Sequence, residues 1–272
     1  MRTSNPVLTR LAKDAERERT AAPGGHQPQV FGQSAGAYPT GPDGTATAPP
    51  DTRPMTIDDV VTRTVGLIAL VAVAAGVIWL GTEPADGLVF AFPAMIVGLV
   101  LGLIIAFARV TNPILISVYA AVMGVFLGAI SQYFNAMYEG IVLQAVAATV
   151  GVFLLMGILY KSGTIRATPK FIKFMTAALV GAAAVILVNL GITLFTGEPT
   201  ILRDGGPIAI IVSLVFIVLA ALSFILSFHE VEEGVRLGLP QKYAWACAFG
   251  IVVSLIWLYI EVLRLLSYFQ GD

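Results

Sequence analysis

The eight residues Ser227–Gly234, "SFHEVEEG", hold one histidine and three glutamates. His229 precedes Glu232 by three positions and Glu233 by four, so on a helix all three share a face. Such a set suits three kinds of chemistry. Its carboxylates accept a hard cation such as Ca2+, but zinc takes more nitrogen or sulfur ligands than are present. As a switch, an imidazolium at His229 pairs with Glu232 or Glu233 and lets go as pH rises, because histidine changes charge near neutral pH. Arg109, at the end of an earlier apolar run, is a further partner for these carboxylates. The third reading is a solvated helix end. An incomplete ligand set and the unfavourable dipole at a helix C-terminus weigh against a metal site.

A second charged pair lies in "WLYIEVLRLL". Glu261 and Arg264 are three apart and can pair on one helix face. Glu261 is about 27 Å along a helix that starts at Tyr243, at 1.5 Å per residue. That depth favours an outer interface, where both side chains snorkel to the headgroups. Asn189, Gln132 and Gln144 are uncharged polar groups in other apolar runs and read as interhelical hydrogen-bonding groups.

The elements that carry these residues are membrane spans. The chain is 57% hydrophobic and 12% charged, with mean hydropathy +0.85, where a soluble domain carries about 25% charged residues. Seven apolar runs are long enough to cross a bilayer. They are Val60–Leu80, Leu88–Ala108, Ile114–Phe134, Ile141–Tyr160, Phe171–Phe195, Pro207–Phe228 and Tyr243–Phe269. Each must be a helix, because lipid offers no partner for backbone polar groups. The expected fold is an all-α integral membrane bundle of seven transmembrane helices over residues 55–272. Residues 1–54 read as a disordered tail with a short helix near its start, since "AAPGGHQPQVFGQSAGAYPTGPDGTATAPP" has too little apolar surface to fold.

Basic residues set the orientation. The side of the tail receives Arg53, Arg63, Arg109, Lys161, Arg166, Lys170, Lys173, Arg236 and Lys242; the other side receives Arg203, and Arg264 if the last helix crosses fully. The tail is therefore expected in the cytoplasm and the protein in the cell membrane. A full last crossing puts the C-terminus outside, and a partial one brings it back. Glycine pairs four apart, Gly98 with Gly102 and Gly124 with Gly128, mark close helix contacts. One cysteine, Cys247, and two histidines, His26 and His229, leave no disulfide and no multi-histidine centre. There is no HExxH, GxSxG or phosphate loop, so the expectation is a non-enzyme with no cofactor and no nucleic-acid partner.

Several stretches occur together in order: "NPILISVYAAVMGVFLGAISQYF", "GIVLQAVAATVGVFLLMGILYKSGTIRATPKF" and "AFGIVVSLIWLYIEVLRLL", with "MRTSNPVLTRL" and "RPMTIDDVVTRT" before them. They resemble the Bax-inhibitor-like family of membrane proteins, and most closely its bacterial branch with an N-terminal tail. The resemblance implies a seven-helix bundle with the last helix near the centre. It also implies a passive, pH-sensitive calcium leak, with Ca2+ or H+ as the moving ion. Some relatives act instead by binding other membrane proteins, including proteases and apoptotic factors.

That family senses pH with an aspartate on the sixth helix and another on the seventh. In this branch the sixth helix ends "DFDxIExG"; here the aspartate positions hold Ser227 and His229, while Phe228, Glu232 and Gly234 match. On the seventh helix the acidic position falls on Glu261 if "LYIE" is matched, or on Ser254 if the leucine-rich tail is matched. The usual "EW" before that helix is Ala244–Trp245. The resemblance therefore leaves two functional readings: a proton-gated cation leak using His229, Glu232, Glu233, Ser254, Glu261 and Arg109, or a non-transporting regulator that binds another membrane protein.

Overall fold

The computed structural model describes residues 53–197, 202 and 204–271. The expected tail with its short helix, apart from residues 53 and 54, and Arg203 lie outside the described residues. Seven helices follow in order: α1 Ile57–Gly81, α2 Pro84–Phe107, α3 Pro113–Met137, α4 Ile141–Lys161, α5 Pro169–Thr196, α6 Pro207–Arg236 and α7 Tyr243–Gln270. All seven are long and apolar enough to cross a membrane.

Local chemistry sets the helix starts. α2, α3, α5 and α6 each begin on a proline, which costs nothing at a position whose N–H has no helical partner. The Asn112 and Thr168 side chains accept from Ile114 N and Phe171 N to cap α3 and α5. α1 begins three residues earlier than expected because Thr56 and Asp59 form a reciprocal capping box.

The helix ends differ most at α6, which continues eight residues past Phe228 to Arg236. Nothing in "HEVEEGVR" stops a helix; Gly238 does, with φ +62. There the Leu239 N–H bonds to Gly234 O at 3.0 Å and the Gly238 N–H to Val235 O at 3.1 Å, the Schellman pattern. The acidic cluster is thus the last two turns of a continuous helix.

α3 packs between α1 and α2. A Cβ at Gly124 would sit 2.5 Å from Val71 O, and one at Gly128 2.6 Å from Ala75 O, so α1 and α3 touch backbone to backbone. Gly98 and Gly102 open the opposite face of α3 to α2, over the Met123 and Tyr119 side chains. α7 is the central helix: it contacts α1, α3, α4 and α6, and more of it is buried than of any other span. α5 packs mainly on α6 and is among the least buried spans.

The last helix crosses the whole bundle. At its start, Gln241 N–H bonds to Arg53 O at 2.9 Å. At its end, Gln270 Nε2 donates to Gln144 Oε1 at 3.2 Å, one turn into α4. α4 begins at the opposite end of the bundle from Arg53, so the two ends of the described chain emerge on opposite sides. This decides the alternative that the last span left open in sequence.

Candidate functional site at the seam of α6 and α7

α6 and α7 run antiparallel, and three polar layers mark their contact. In the middle, the Ser223 hydroxyl lies 2.9 Å from Ser254 Oγ and 2.7 Å from Ala220 O, dividing one proton between them. The Ser254 hydroxyl donates to Gly250 O at 3.1 Å. One turn nearer the inner end (the end where α1 begins), Ser227 faces Gly250, where an added Cβ would lie 3.7 Å from Ser227 Oγ. Another turn on, Glu230 lies within electrostatic reach of Cys247. The three serines are buried. At 2.9 Å between Ser223 and Ser254 no ion fits between the helices, so the seam is closed.

Aromatic rings cover the seam from the α4 side. Phe153 packs edge-on against Phe224 at 5.3 Å, Phe228 stacks on Phe224 at 6.1 Å, and Tyr160 leans on Phe228 at 5.6 Å between centroids. The Tyr160 hydroxyl donates to the Glu232 carboxylate, joining the inner ends of α4 and α6. On the α3 side of α7, Ser131 and Tyr259 share a buried hydrogen bond of 2.7 Å.

The family model for Bax inhibitor 1 like proteins matches residues 5–271. The chain belongs to this family. No curated protein and no solved structure matches it.

The two candidate positions on the seventh helix stand at different levels of α7. Ser254 sits in the same layer of the seam as Ser223 and about one turn from Ser227. Glu261 is two turns further along α7. A Bax inhibitor 1 like bundle with serines at the seam is closed by neutral hydroxyls.

The expected pairing of His229 with Glu232 or Glu233 does not form. Glu232 is taken by Tyr160, and Glu233 binds Arg236 at 2.5 Å, one turn on. Glu230, which the spacing argument passed over, is the carboxylate that feels both His229 and Arg109. The reason is competition: Glu233 has a stronger partner, Arg236, at an i,i+3 spacing, and Glu232 meets Tyr160 on α4, which packs against α6. Arg109 follows α2 in a left-handed conformation, φ +48, which costs a non-glycine residue about 1 kcal/mol.

The snorkelling reading of Glu261 also fails. Glu261 is 1% exposed. Its Oε1 accepts from Arg264 Nη1 at 2.7 Å, while Oε2 is buried without a partner among the described residues. α7 does start at Tyr243, but it is the central helix and continues nine residues beyond Glu261, so neighbours enclose the carboxylate. Gln132 does bond across helices: its Nε2 donates to Thr82 O at 2.5 Å and Trp79 O at 3.3 Å, tying α3 to the end of α1. Among the described residues no three His, Cys, Asp or Glu side chains converge as metal ligands.

Sequence reasoning missed Ser223, Tyr160 and the Ser131–Tyr259 pair. Ser223 had a signal, since it lies four residues before Ser227 on the same face of an apolar helix. Tyr160 had none, because its partner is 72 residues away.

Proposed function

We propose that the protein is a passive cation leak, with Ca2+ as the cation, in the cell membrane of a bacterium. Its path follows the seam of α6 and α7 and its N-terminal side faces the cytoplasm. One observation supports this reading above others: three buried serines and the inner pair His229 and Glu230 follow one line along that seam, whereas the other buried polar groups, such as Gln132 and the Ser131–Tyr259 pair, bond to partners elsewhere in the bundle. His229 and Glu230 stand at the inner mouth, then Ser227, then the closure of Ser223 on Ser254. Opening requires the two helices to part by about the diameter of a partly hydrated cation at that closure. The loss of one bond between neutral hydroxyls costs about 1 kcal/mol. Family membership supports the activity class, and the bias of basic residues supports the orientation.

The group at the inner mouth that suits proton control is His229, within electrostatic reach of Glu230, because histidine is the side chain that changes charge near neutral pH and the seam serines carry no charge to change. The test is Ca2+ entry into liposomes holding the purified full chain, between pH 6 and 8. Flux that varies with pH in the parent and loses that variation in His229→Ala is the expected result. No flux, or an unaltered pH profile in His229→Ala, refutes the reading.

A second reading, a non-transporting regulator that binds another membrane protein, draws on the neutral closure and on α5, which leaves most of its surface to lipid or a partner. It predicts crosslinks from α5 to a partner in membranes, and these disappear if the reading is wrong. Neither reading includes catalysis.

A further inference from the structure

The residues just before α1 are fastened to the turn between α6 and α7. Pro54 pairs antiparallel with Pro240, Met55 N–H bonds to Leu239 O at 2.8 Å, and Gln241 N–H to Arg53 O at 2.9 Å. The Met55 side chain, 2% exposed, inserts where α6 ends. A Cβ on Gly234 would lie 2.6 Å from Met55 Cε, so glycine there makes room for the methionine. Asp59 gathers the rest: it accepts from Arg53 at 2.6 Å, from Gln241 Nε2 at 2.8 Å, and from Thr56 N at 3.0 Å. One turn later, the Arg63 guanidinium lies over the Trp245 ring at 5.4 Å. This segment therefore holds the last turn of α6, the connecting turn and the first turn of α7 at once.

We propose that Arg53–Asp59 is a releasable latch that fixes the angle between α6 and α7 at the turn that joins them, and with it the closure of the seam at Ser223 and Ser254. The proposal rests on the reading of that seam as the ion path. The seam helices join through the short turn between Arg236 and Tyr243, so they can part only by tilting about that turn, and the latch, bonded to the turn and packed on the end of α6, resists the tilt at its pivot. Its contacts are of the kind that release as a unit: two short backbone bonds, one methionine and one carboxylate hub. Chain upstream of Arg53 leads directly into it, so tension on residues 1–52 acts first on the Met55 and Pro54 contacts and not on the core of the bundle.

Cys247 is the chain's one cysteine. It is half-buried on the first turns of α7, across the seam from Glu230, so its labelling rate by a soluble thiol reagent reports the parting of α6 and α7 beside their joining turn without any need for flux. Met55→Ala is expected to speed labelling about tenfold, as for a local opening made easier by loss of one buried side chain. Gln241→Ala, which spares the capping box of α1, is expected to speed it a few-fold, about the effect of one hydrogen bond. In the reverse direction, Pro54→Cys with Pro240→Cys, oxidised so that only Cys247 stays free, is expected to slow labelling below the parent. Helix content by circular dichroism stays at the parent value in all three. Labelling within twofold of the parent in all three overturns the latch. Faster labelling in Met55→Ala together with slower labelling in the crosslinked form supports it, whether or not Ca2+ flux is found, so the latch and the leak fail separately.

Discussion

Arg264→Ala is the sharpest test of how the bundle treats buried charge. Glu261 is 1% exposed, and its one bond is to Arg264 at 2.7 Å. Arg264 itself is less enclosed, at 17% side-chain exposure. Removing the arginine strands a buried carboxylate, which costs about 3–5 kcal/mol. Removing both charges is different. One carboxylate oxygen is already without a partner, so the pair offsets its own desolvation poorly. Exchange of such a pair for apolar side chains is commonly neutral or stabilising by about 1–4 kcal/mol.

Glu261→Leu with Arg264→Leu should therefore be more stable than Arg264→Ala alone, and equal to the parent or better. The assay is thermal unfolding of the full chain in detergent, followed by circular dichroism. At about 2–4 °C per kcal/mol for a domain of this size, Arg264→Ala should lower the midpoint by about 6–20 °C. The double variant should recover the whole loss. If Arg264→Ala unfolds within about 2 °C of the parent, the carboxylate reaches water or headgroups after all, and the enclosed position argued above is wrong.

Three further outcomes follow from the same contacts. Gly128→Val drives a side chain into the Ala75 backbone, which cannot yield as a side chain would; it should cost at least about 1–3 kcal/mol, while Gly151→Ala, with nothing within 4 Å, should be neutral or mildly stabilising in the same melt. Gln132→Leu leaves Trp79 O and Thr82 O without their side-chain donor, for a loss of about 1–3 kcal/mol; an unchanged midpoint would mean that water replaces the amide. Reporters fused before Arg53 and after Gly271 should respond from opposite sides of the membrane, and responses from the same side would contradict a full crossing by α7.

The seven spans were legible because length and apolarity alone decide them, and the glycine pairs were legible because only close backbones need them. What escaped was what depends on neighbours. Phe228 looked like the end of α6 since hydropathy falls there, yet a helix ends where its backbone must turn, at Gly238. His229 looked paired with Glu232 and Glu233 since they share its face, yet Tyr160 and Arg236 hold those carboxylates. Glu261 looked wet since it is far along its helix, yet distance along an axis says nothing of what surrounds the axis. The latch left no trace in spacing, because Asp59 and Gln241 are 182 residues apart.

Serines at the seam also change where the two helices are held together. A bond between neutral hydroxyls contributes about 1 kcal/mol, and a charge-assisted one about twice that. A pair of acids at this depth would grip or release with protonation, whereas Ser223 and Ser254 hold weakly and do so equally at every pH from 5 to 8. The stronger contacts stand at the inner end: Tyr160 on Glu232, the hub at Asp59, and Met55 against Gly234. A weak centre and a well-fastened inner end mean that the free energy resisting separation resides chiefly in the latch and the helix ends. On the proposed reading, a signal that opens the seam must then act at this inner end, where Gly234 is about three turns along α6 from Ser223.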